Sequence, residues 1–226
     1  MNPTNTTEPT HTPGAAGFRI PLASDGYRFI IPLGILTGLF AFLYLPWIAG
    51  VFGLLFLFVL NFFRDPERQI PVGPNVIVSP ADGKVVEIVR ETDPLIGQPR
   101  TRVSIFLNVF NVHVNRVPVG GTITRIKYNP GKFLNAASHK ASLDNEQNAV
   151  LIKNGTIEIL VKQIAGLIAR RIVCWAREGD QYTLGQRFGL IRFGSRVDIF
   201  LPEDAQLSIG IGDKVRGGSS ILGYLK

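Results

Sequence analysis

The longest uniform feature of this sequence is a stretch of 35 residues, from Phe29 to Phe63, without a charged side chain. A single α-helix of that length would measure about 52 Å, whereas the hydrocarbon core of a bilayer is about 30 Å thick. Pro46 divides the stretch into two halves, which predicts a helical hairpin. Each half is near the lower length limit for crossing a membrane. The sequence therefore leaves open whether the hairpin spans the bilayer or lies in its interface.

Basic residues flank the hairpin on both sides, with Arg19 and Arg28 before it and Arg64 and Arg68 after it. Under the positive-inside rule, both ends are expected on the cytoplasmic side. The formal net charge of the whole chain is +7, which favours an acidic partner. Because no block of basic residues interleaved with aromatic residues is present, we expect an anionic membrane surface and no nucleic acid.

Three segments are expected along the chain. Residues 1–17 are rich in Thr, Pro, Asn and Gly, a composition that does not favour a packed structure. We predict a disordered tail over residues 1–27, a membrane anchor over residues 28–63 and a β-rich catalytic domain over residues 64–226. Deleting residues 1–63 is expected to release the β-rich domain from membranes and to leave its chemistry intact.

The sequence after Phe63 changes to short β-branched runs separated by Gly, Pro and Asn, which predicts strands. Because long helical periodicities are absent, a mainly β fold is expected, a compact sandwich or barrel-like domain that follows the membrane-embedded hairpin. The polar stretch Asn135–Asn148 is expected to form a mobile loop or a short helix. The expected strands are Asn75–Val78, Lys84–Arg90, Arg102–Phe110, Thr122–Tyr128, Thr156–Lys162, Gly166–Trp175, Arg196–Leu201 and Ser219–Leu225.

Several common kinds of site are not predicted. The sequence has no Rossmann glycine pattern, no Walker loop and no H-E-x-x-H motif. Its three histidines, His11, His113 and His139, lack metal-ligand spacing, so no metal is expected. The lone Cys174 lies in an apolar run and is expected to be a buried structural thiol.

Two motifs contain residues suited to proton transfer. Ser79–Val85 places Asp82 in a tight Asp-Gly turn between two predicted strands, where a solvated carboxylate is the simplest interpretation. In Phe110–Pro118, polar and apolar residues alternate, so His113 and the two neighbouring asparagines would share one face of a strand. That face could be a satisfied sheet edge, or it could line a pocket in which His113 transfers protons.

A third motif, Arg192–Pro202, contains Gly194 followed by Ser195 at the start of a predicted strand. Gly-Ser before a strand is common. Glycine lets the backbone twist, however, so that the hydroxyl of the next residue can reach the preceding carbonyl. This is the geometry of an N-to-O acyl shift.

Taken in order, these motifs resemble the phosphatidylserine decarboxylases, in particular the short bacterial type. The resemblance extends from Asn61 to about Leu225, and its specificity comes from the ordered set rather than from any one segment. The matching segments are Asn61–Arg68, Ser79–Val85, Asn111–Pro118, Tyr128–Phe133, Asp144–Glu146 and Arg192–Pro202, the last of which resembles the family's processing site.

The resemblance implies a proenzyme that cuts itself between Gly194 and Ser195. The products would be two chains, residues 1–194 and residues 195–226. Ser195 would become a covalent pyruvoyl group, which is the expected cofactor. A second Gly-Ser pair, in Gly217–Ser220, is interpreted as an ordinary turn before a strand.

The resemblance also implies roles for two side chains. His113 would be the base that activates Ser195, and Asp82 would orient His113. Long-form members carry a second histidine where this sequence has Arg116. Whether His113 serves maturation, decarboxylation or both therefore stays open.

The implied reaction is decarboxylation of phosphatidylserine to phosphatidylethanolamine and CO₂, through a Schiff base on the pyruvoyl ketone. The substrate would lie in an anionic cell membrane, with the catalytic domain on the cytoplasmic side. The formation of a homo-oligomer stays open.

Two alternatives compete with this interpretation. Pro80–Val85 and Gly212–Val215 resemble turns of lipoyl-type domains, which would make the chain a non-catalytic, membrane-tethered β-domain adaptor. No lysine lies in a matching lipoyl hairpin. The other alternative is a pyruvoyl enzyme for a soluble amino acid, and the apolar anchor argues against it.

Overall fold

The computed structural model describes residues 20–131, 145–166, 171–192 and 195–226. A 3-10 turn, Ser24–Gly26, leads into α1 (Tyr27–Phe42), which is followed by α2 (Pro46–Phe62). The described residues then form the strands β1 (Val76–Val78), β2 (Gly83–Thr92), β3 (Pro99–Leu107), β4 (Val114–Arg116), β5 (Gly121–Asn129), β6 (Gln147–Asn154), β7 (Ile157–Ala165), β8 (Ile172–Cys174), β9 (Gln181–Tyr182), β10 (Arg187–Ile191), β11 (Ser195–Leu201), β12 (Gln206–Leu207), β13 (Lys214–Val215) and β14 (Ile221–Tyr224).

The two helices form the predicted hairpin. α2 begins at Pro46, since the first position of a helix tolerates the missing N–H of proline. The helices pack against each other through Phe40 and Phe52, whose ring centroids are 5.2 Å apart. Near Gly34, the close approach of Phe56 leaves little space for a larger residue, because an added Cβ would lie 3.2 Å from that ring.

The outer half of the hairpin is apolar and exposed. Phe42 and Trp47 have 78% and 89% of their surface accessible. Among the described residues, one helical stretch, Ser24–Phe42, is long and apolar enough to cross a membrane, while α2 is a shorter apolar helix. Apolar surface of this extent is typical of a region that contacts lipid or another protein.

The folded part of the chain begins earlier than predicted. Residues 1–19 lie outside the described residues. The Ala23 N–H donates to the Phe63 carbonyl at 2.8 Å, and the Asp65 N–H donates to the Pro21 carbonyl at 2.7 Å. Residues 20–27, which were assigned to the tail, are therefore fixed against the end of the hairpin.

The strands form one large sheet and two small ones, and all of their described pairs are antiparallel. The large sheet has the order β13-β2-β3-β11-β7-β6-β5-β9 and curls into a half-barrel. The small sheets have the orders β1-β14-β12 and β4-β10-β8. The mainly β fold predicted from the sequence is confirmed.

The position of β11 matters most for the site. This strand lies between β3 and β7, with Ser195 opposite Leu107 on one side and Ala165 on the other. Alternate residues of β11, such as Val197 and Ile199, are fully buried in the largest apolar core. Because side chains alternate along a strand, Ser195 faces the same core.

A second apolar cluster joins the hairpin to the β-rich domain. Phe62 and Phe63, at the end of α2, pack with Val112, Val114 and Leu190. Burying such side chains contributes about 1.5–3 kcal/mol each. The base of the hairpin is therefore part of the folded domain.

Five of the described strands were not predicted: the longer β6 and β10, and the two-residue strands β9, β12 and β13. β6 starts at Gln147, inside a stretch expected to be a loop or a helix, of which residues 132–144 lie outside the described residues. β10 had not been recognised either. In the predicted strand Gly166–Trp175, the described part forms only β8, and residues 167–170 lie outside the description.

Candidate active site

Ser195 occupies the first position of β11 and is completely buried. Its hydroxyl oxygen has no hydrogen-bond partner among the described residues. A buried hydroxyl without a partner costs about 1–3 kcal/mol, so this arrangement is unusual for a purely structural serine. Gly194, the other residue of the predicted cleavage site, lies outside the described residues.

His113 is also almost completely buried. Its Nδ1 lies 2.9 Å from the Asn111 carbonyl, which can only accept a hydrogen bond. Nδ1 therefore carries the proton, and Nε2 carries the lone pair. Nε2 is buried and has no partner in the described part of the chain. The aromatic ring of Phe62 lies against the imidazole, with the centroids 4.1 Å apart.

The surroundings of His113 keep it neutral. Burial is the main cause that lowers its pKa from 6.5 to about 4, the hydrogen bond to Asn111 opposes the shift, and the positive charge of Arg64 adds to it. The imidazole is thus neutral at pH 7, and the same burial makes it a weaker base than an exposed histidine. Once protonated, it would release that proton readily.

The backbone brings His113 near the segment that precedes Ser195. The Ile191 N–H, four residues before Ser195, donates to the His113 carbonyl at 3.3 Å. No hydrogen bond joins the two side chains among the described contacts. In resting enzymes, such hydrogen bonds are often long and form only during the reaction.

His113 does not follow the predicted alternation. The strand β4 begins only at Val114, and both Val112 and Val114 pack into the cluster at the base of the hairpin. The ring of His113 contacts the same cluster through Phe62. The assumption of a regular strand from residue 111 was wrong, because the chain is irregular there.

Asp82 is neither a solvated carboxylate nor a partner of His113, the two arrangements that were expected from the sequence. Its carboxylate accepts two hydrogen bonds from Arg68, both at 2.9 Å, and one from the Gly217 N–H at 2.8 Å. It is buried rather than solvated. With its oxygens engaged in this way, Asp82 does not orient His113, whose Nδ1 is bound to a carbonyl. Asp82 instead joins the linker after the hairpin to the turn before β14.

Arg116, at the position of the second family histidine, is a structural contact in this chain. Its guanidinium donates to the carbonyls of Gly185 and Pro66 at 3.0 and 3.1 Å. Burial is the main cause that lowers its pKa to about 10, so it remains charged at neutral pH. Arg116 therefore does not replace the missing histidine in proton transfer.

A buried row of amide side chains was not recognised as a unit from the sequence. Asn148 donates to the Gln163 Oε1 at 3.0 Å, and the Gln163 Nε2 donates to the Asn115 Oδ1 at 2.9 Å. The Asn115 Nδ2 is then left as a donor without a described partner. Gln163 lies on β7 two residues before Ala165, the partner of Ser195. Gln163 and Ala165 therefore lie on the same face of β7.

The described residues contain no group of three or more His, Cys, Asp or Glu side chains placed to hold a metal. The candidate groups are the Ser195 hydroxyl, the neutral His113 imidazole and the Asn115 amide. Each of the three has one buried polar atom without a partner in the described residues. Such an arrangement suits attack on a carbonyl and proton transfer.

Comparisons with known proteins agree with the motifs. Residues 55–223 match the phosphatidylserine decarboxylase family. A protein of Syntrophus aciditrophicus (strain SB), named phosphatidylserine decarboxylase proenzyme, is 51% identical over 205 residues, which cover 89% of this chain and 96% of that protein.

Proteins with the same name in Geotalea uraniireducens (strain Rf4) and Cupriavidus pinatubonensis (strain JMP 134 / LMG 1197) are 44% and 46% identical. The two alignments cover 91% and 93% of this chain, and 97% and 91% of the relatives. These matches extend over most of the chain, including the hairpin base and the residues around Ser195. The chain therefore belongs to the phosphatidylserine decarboxylase family.

Proposed function

We propose that this protein is a membrane-bound phosphatidylserine decarboxylase that matures by cutting its own chain between Gly194 and Ser195. The observation that carries the proposal is the buried hydroxyl of Ser195, at the first position of a central strand, which has no hydrogen-bond partner among the described residues. Its place in the sequence coincides with the processing motif. The comparisons offer no support for a lipoyl-like adaptor.

Maturation would use groups of this chain alone. The Ser195 oxygen attacks the Gly194 carbonyl, and the peptide bond is exchanged for an ester. Loss of the Ser195 α-proton then breaks the ester, which leaves a free carboxylate at Gly194 and a dehydroalanine at residue 195. Hydrolysis of the dehydroalanine releases ammonia and gives the ketone. His113 Nε2 is the proposed base, since a serine hydroxyl is a weak nucleophile without one.

The start of β11 suits a pyruvoyl group, which residue 195 itself would carry. The position is buried between β3 and β7, where Ser195 lies opposite Leu107 and Ala165. A bound pyruvoyl group supplies a ketone that reacts with the substrate amine and accepts the electrons released with CO₂. The Asn115 amide, whose Nδ2 has no partner among the described residues, would hold an oxygen of the substrate. His113 would return a proton to the product, which its low pKa favours.

The hairpin explains why a lipid is the proposed substrate. Its apolar outer half would place the domain at a membrane, and basic residues at both ends favour an anionic surface on the cytoplasmic side. The serine headgroup of phosphatidylserine would then be concentrated next to the domain. The active protein would contain two chains from one proenzyme.

Intact mass spectrometry of the purified protein tests the cleavage site. We expect two chains, residues 1–194 and a blocked chain that begins at the former Ser195. A cut before Ser219 or Ser220 would contradict the assignment. Incubation with phosphatidylserine vesicles or with free serine tests the substrate, and we expect CO₂ only from the vesicles.

A further inference from the structure

The base of the hairpin contacts the part of the candidate site that carries His113. The rings of Phe62 and His113 lie 4.1 Å apart, tilted by 31°. Both residues have 2% or less of their surface exposed. Phe62 therefore covers one face of the imidazole and excludes water from it.

A second contact fixes the loop that carries His113. Arg64 follows directly after the hairpin, and its Nη2 donates to the Phe110 carbonyl at 2.6 Å. Its Nη1 donates to the backbone oxygen of Asn61 at 2.6 Å and to the side-chain oxygen at 2.9 Å. The guanidinium thus holds the loop before His113 against the last turn of α2.

A third contact lies on the Ser195 side. The Asp25 carboxylate, just before α1, accepts hydrogen bonds from Arg192 and from the indole N–H of Trp175, both at 3.3 Å. Arg192 is three residues before Ser195. The start of the hairpin is therefore attached to the segment that leads to the proposed nucleophile.

The two ends of the hairpin are also packed tightly against each other. An added Cβ at Gly26 would lie 2.6 Å from the Phe63 side chain, and Leu22 forms a β-bridge with Arg64. A simple membrane anchor would need only a linker to the β-rich domain. The expectation that residues 1–63 can be removed without effect on the chemistry does not agree with these contacts.

We propose that the base of the hairpin is a positioning element of the reaction site, in which Phe62 and Arg64 fix the orientation and the hydration of the His113 ring. The proposal rests on the proposed role of His113 in maturation. Neither residue touches the reacting atoms. Both act through the imidazole, so that the membrane segment and the chemistry form one unit.

The electrostatic consequence is measurable. Burial, to which Phe62 contributes, is the largest cause of the low pKa of His113, and the charge of Arg64 lowers it further. Loss of Phe62 would admit water, and loss of Arg64 would remove a nearby positive charge. In both cases the imidazole would titrate closer to its ordinary pKa of 6.5.

The test uses histidine-labelled full-length protein in lipid nanodiscs, with Ser195→Ala in every sample so that the chain stays uncut. The sequence has only three histidines, and the NMR signals of His113 are those lost in His113→Gln. Phe62→Leu is compared with Phe52→Leu, the same change in the same helix at a ring that stacks on Phe40. We expect Phe62→Leu to raise the pKa of His113 and to change its ring shifts, and Phe52→Leu to leave both unchanged.

A second experiment measures the rate of chain splitting as a function of pH in proteins that keep Ser195. Phe62→Leu should slow splitting by about 10- to 100-fold, since small misplacements of reacting groups have effects of that size. The acidic limb of the pH–rate profile of Phe62→Leu should also move to higher pH. If His113 titrates identically in Phe62→Leu and Phe52→Leu, the proposal is wrong, even if splitting is slower.

Arg64→Gln decides the question if Phe62→Leu does not fold, because Arg64 is only partly buried and lies outside the apolar cluster. It should also raise the pKa of His113, and an unchanged pKa would overturn the proposal. The proposed function fails separately, if the wild-type protein is not cut between Gly194 and Ser195. The titration in uncut protein would stand in that case.

Discussion

Buried polar groups on the two faces of β11 differ in whether they have hydrogen-bond partners. On the core face, the Ser195 hydroxyl has no described partner. On the other face, Arg196 and Asp198 are equally buried, and the Arg196 Nε donates to the Asp198 Oδ1 at 2.6 Å. Arg196 also donates to Ser104 at 2.8 Å and to Glu87 at 3.3 Å.

This difference separates a structural polar group from a reactive one. Buried charges are tolerated when partners satisfy them, and they fix the geometry of the strand that carries them. A buried hydroxyl without a partner lowers stability instead, and such groups occur where they are needed for chemistry. The same strand thus carries paired charges on one face and, at its first position, a hydroxyl without a described partner, which is the proposed nucleophile.

The largest expected effect comes from removing that nucleophile. Ser195→Ala should abolish chain splitting, because no attacking oxygen remains, and should leave an uncut chain on denaturing gels. Its melting temperature should equal that of an uncut reference such as His113→Ala or exceed it, since an unsatisfied group is lost. Ser104→Ala is the matched control on the opposite face. It should still split but melt lower, because Ser104 accepts from Arg102 and Arg196.

Removing the proposed base should have the next largest effect. His113→Ala should slow splitting by about 10²- to 10⁴-fold, the usual contribution of a general base. A time course by mass spectrometry, with circular dichroism to check folding, measures this. Val150→Ala, in the core on β6 and away from His113, should lose packing but keep a wild-type rate. A folded His113→Ala protein that splits normally would remove His113 from the mechanism.

Replacing Arg196, on the charged face of β11, should lower the stability of the fold and leave the rate of chain splitting unchanged. Arg196→Ala leaves buried carboxylates without this partner and should lower the free energy of unfolding by about 3–5 kcal/mol. Arg196→Met keeps the volume and should behave similarly unless Asp198 is also replaced, for example by Asn. Urea unfolding of uncut Ser195→Ala protein measures the change. If Arg196→Ala stops splitting in protein that is still folded, the division between the two faces is wrong.

The pH dependence of stability should show the neutral histidine. The pKa of His113 is lowered to about 4 in the folded chain, so between pH 6.5 and 4 the unfolded chain binds a proton that the folded chain does not. This contribution is fully present above pH 6.5 and is lost as the pH falls, by about 3 kcal/mol in total. In the Ser195→Ala background, His113→Gln should remove that part of the slope in urea unfolding. An identical slope would contradict the buried, neutral state.

The smallest effect is expected at the second Gly-Ser pair. Gly218 has a φ of +77° and forms a turn before β14, and the Ser220 hydroxyl accepts from the Arg216 N–H at 2.9 Å. Ser219→Ala and Ser220→Ala should therefore not change the masses of the two chains. A change in cleavage position would show that the turn takes part in processing.

Local patterns predicted the hairpin and most strands. The uncharged stretch and Pro46 were enough for the two helices, and short β-branched runs were enough for strands such as β2 and β11. β6 was missed because its first residues are polar, and their burial depends on Gln163 in the neighbouring strand. The Asn154-Gly155 turn between β6 and β7 was an available signal for that strand.

The partners of the site residues could not be read from the sequence in the same way. Asp82 was assigned to His113 because the family motifs contain both. Its carboxylate is bound by Arg68, a residue of the linker, through a contact that only the tertiary fold creates. The contact between Phe62 and His113 was missed for the same reason. It too depends on the tertiary fold, and the hairpin had been interpreted as a separate anchor.

The position of Ser195 at the start of β11 also affects how the mature protein can unfold. A cut there would leave residues 195–226 as a separate chain that supplies a strand paired on both sides, with β3 and β7, and also β14 between β1 and β12. Folding of the proenzyme is a reaction of one molecule, whereas refolding of the mature form would need two fragments to meet. Its recovery after denaturation would then depend on concentration, and dilution would both slow refolding and lower the folded fraction.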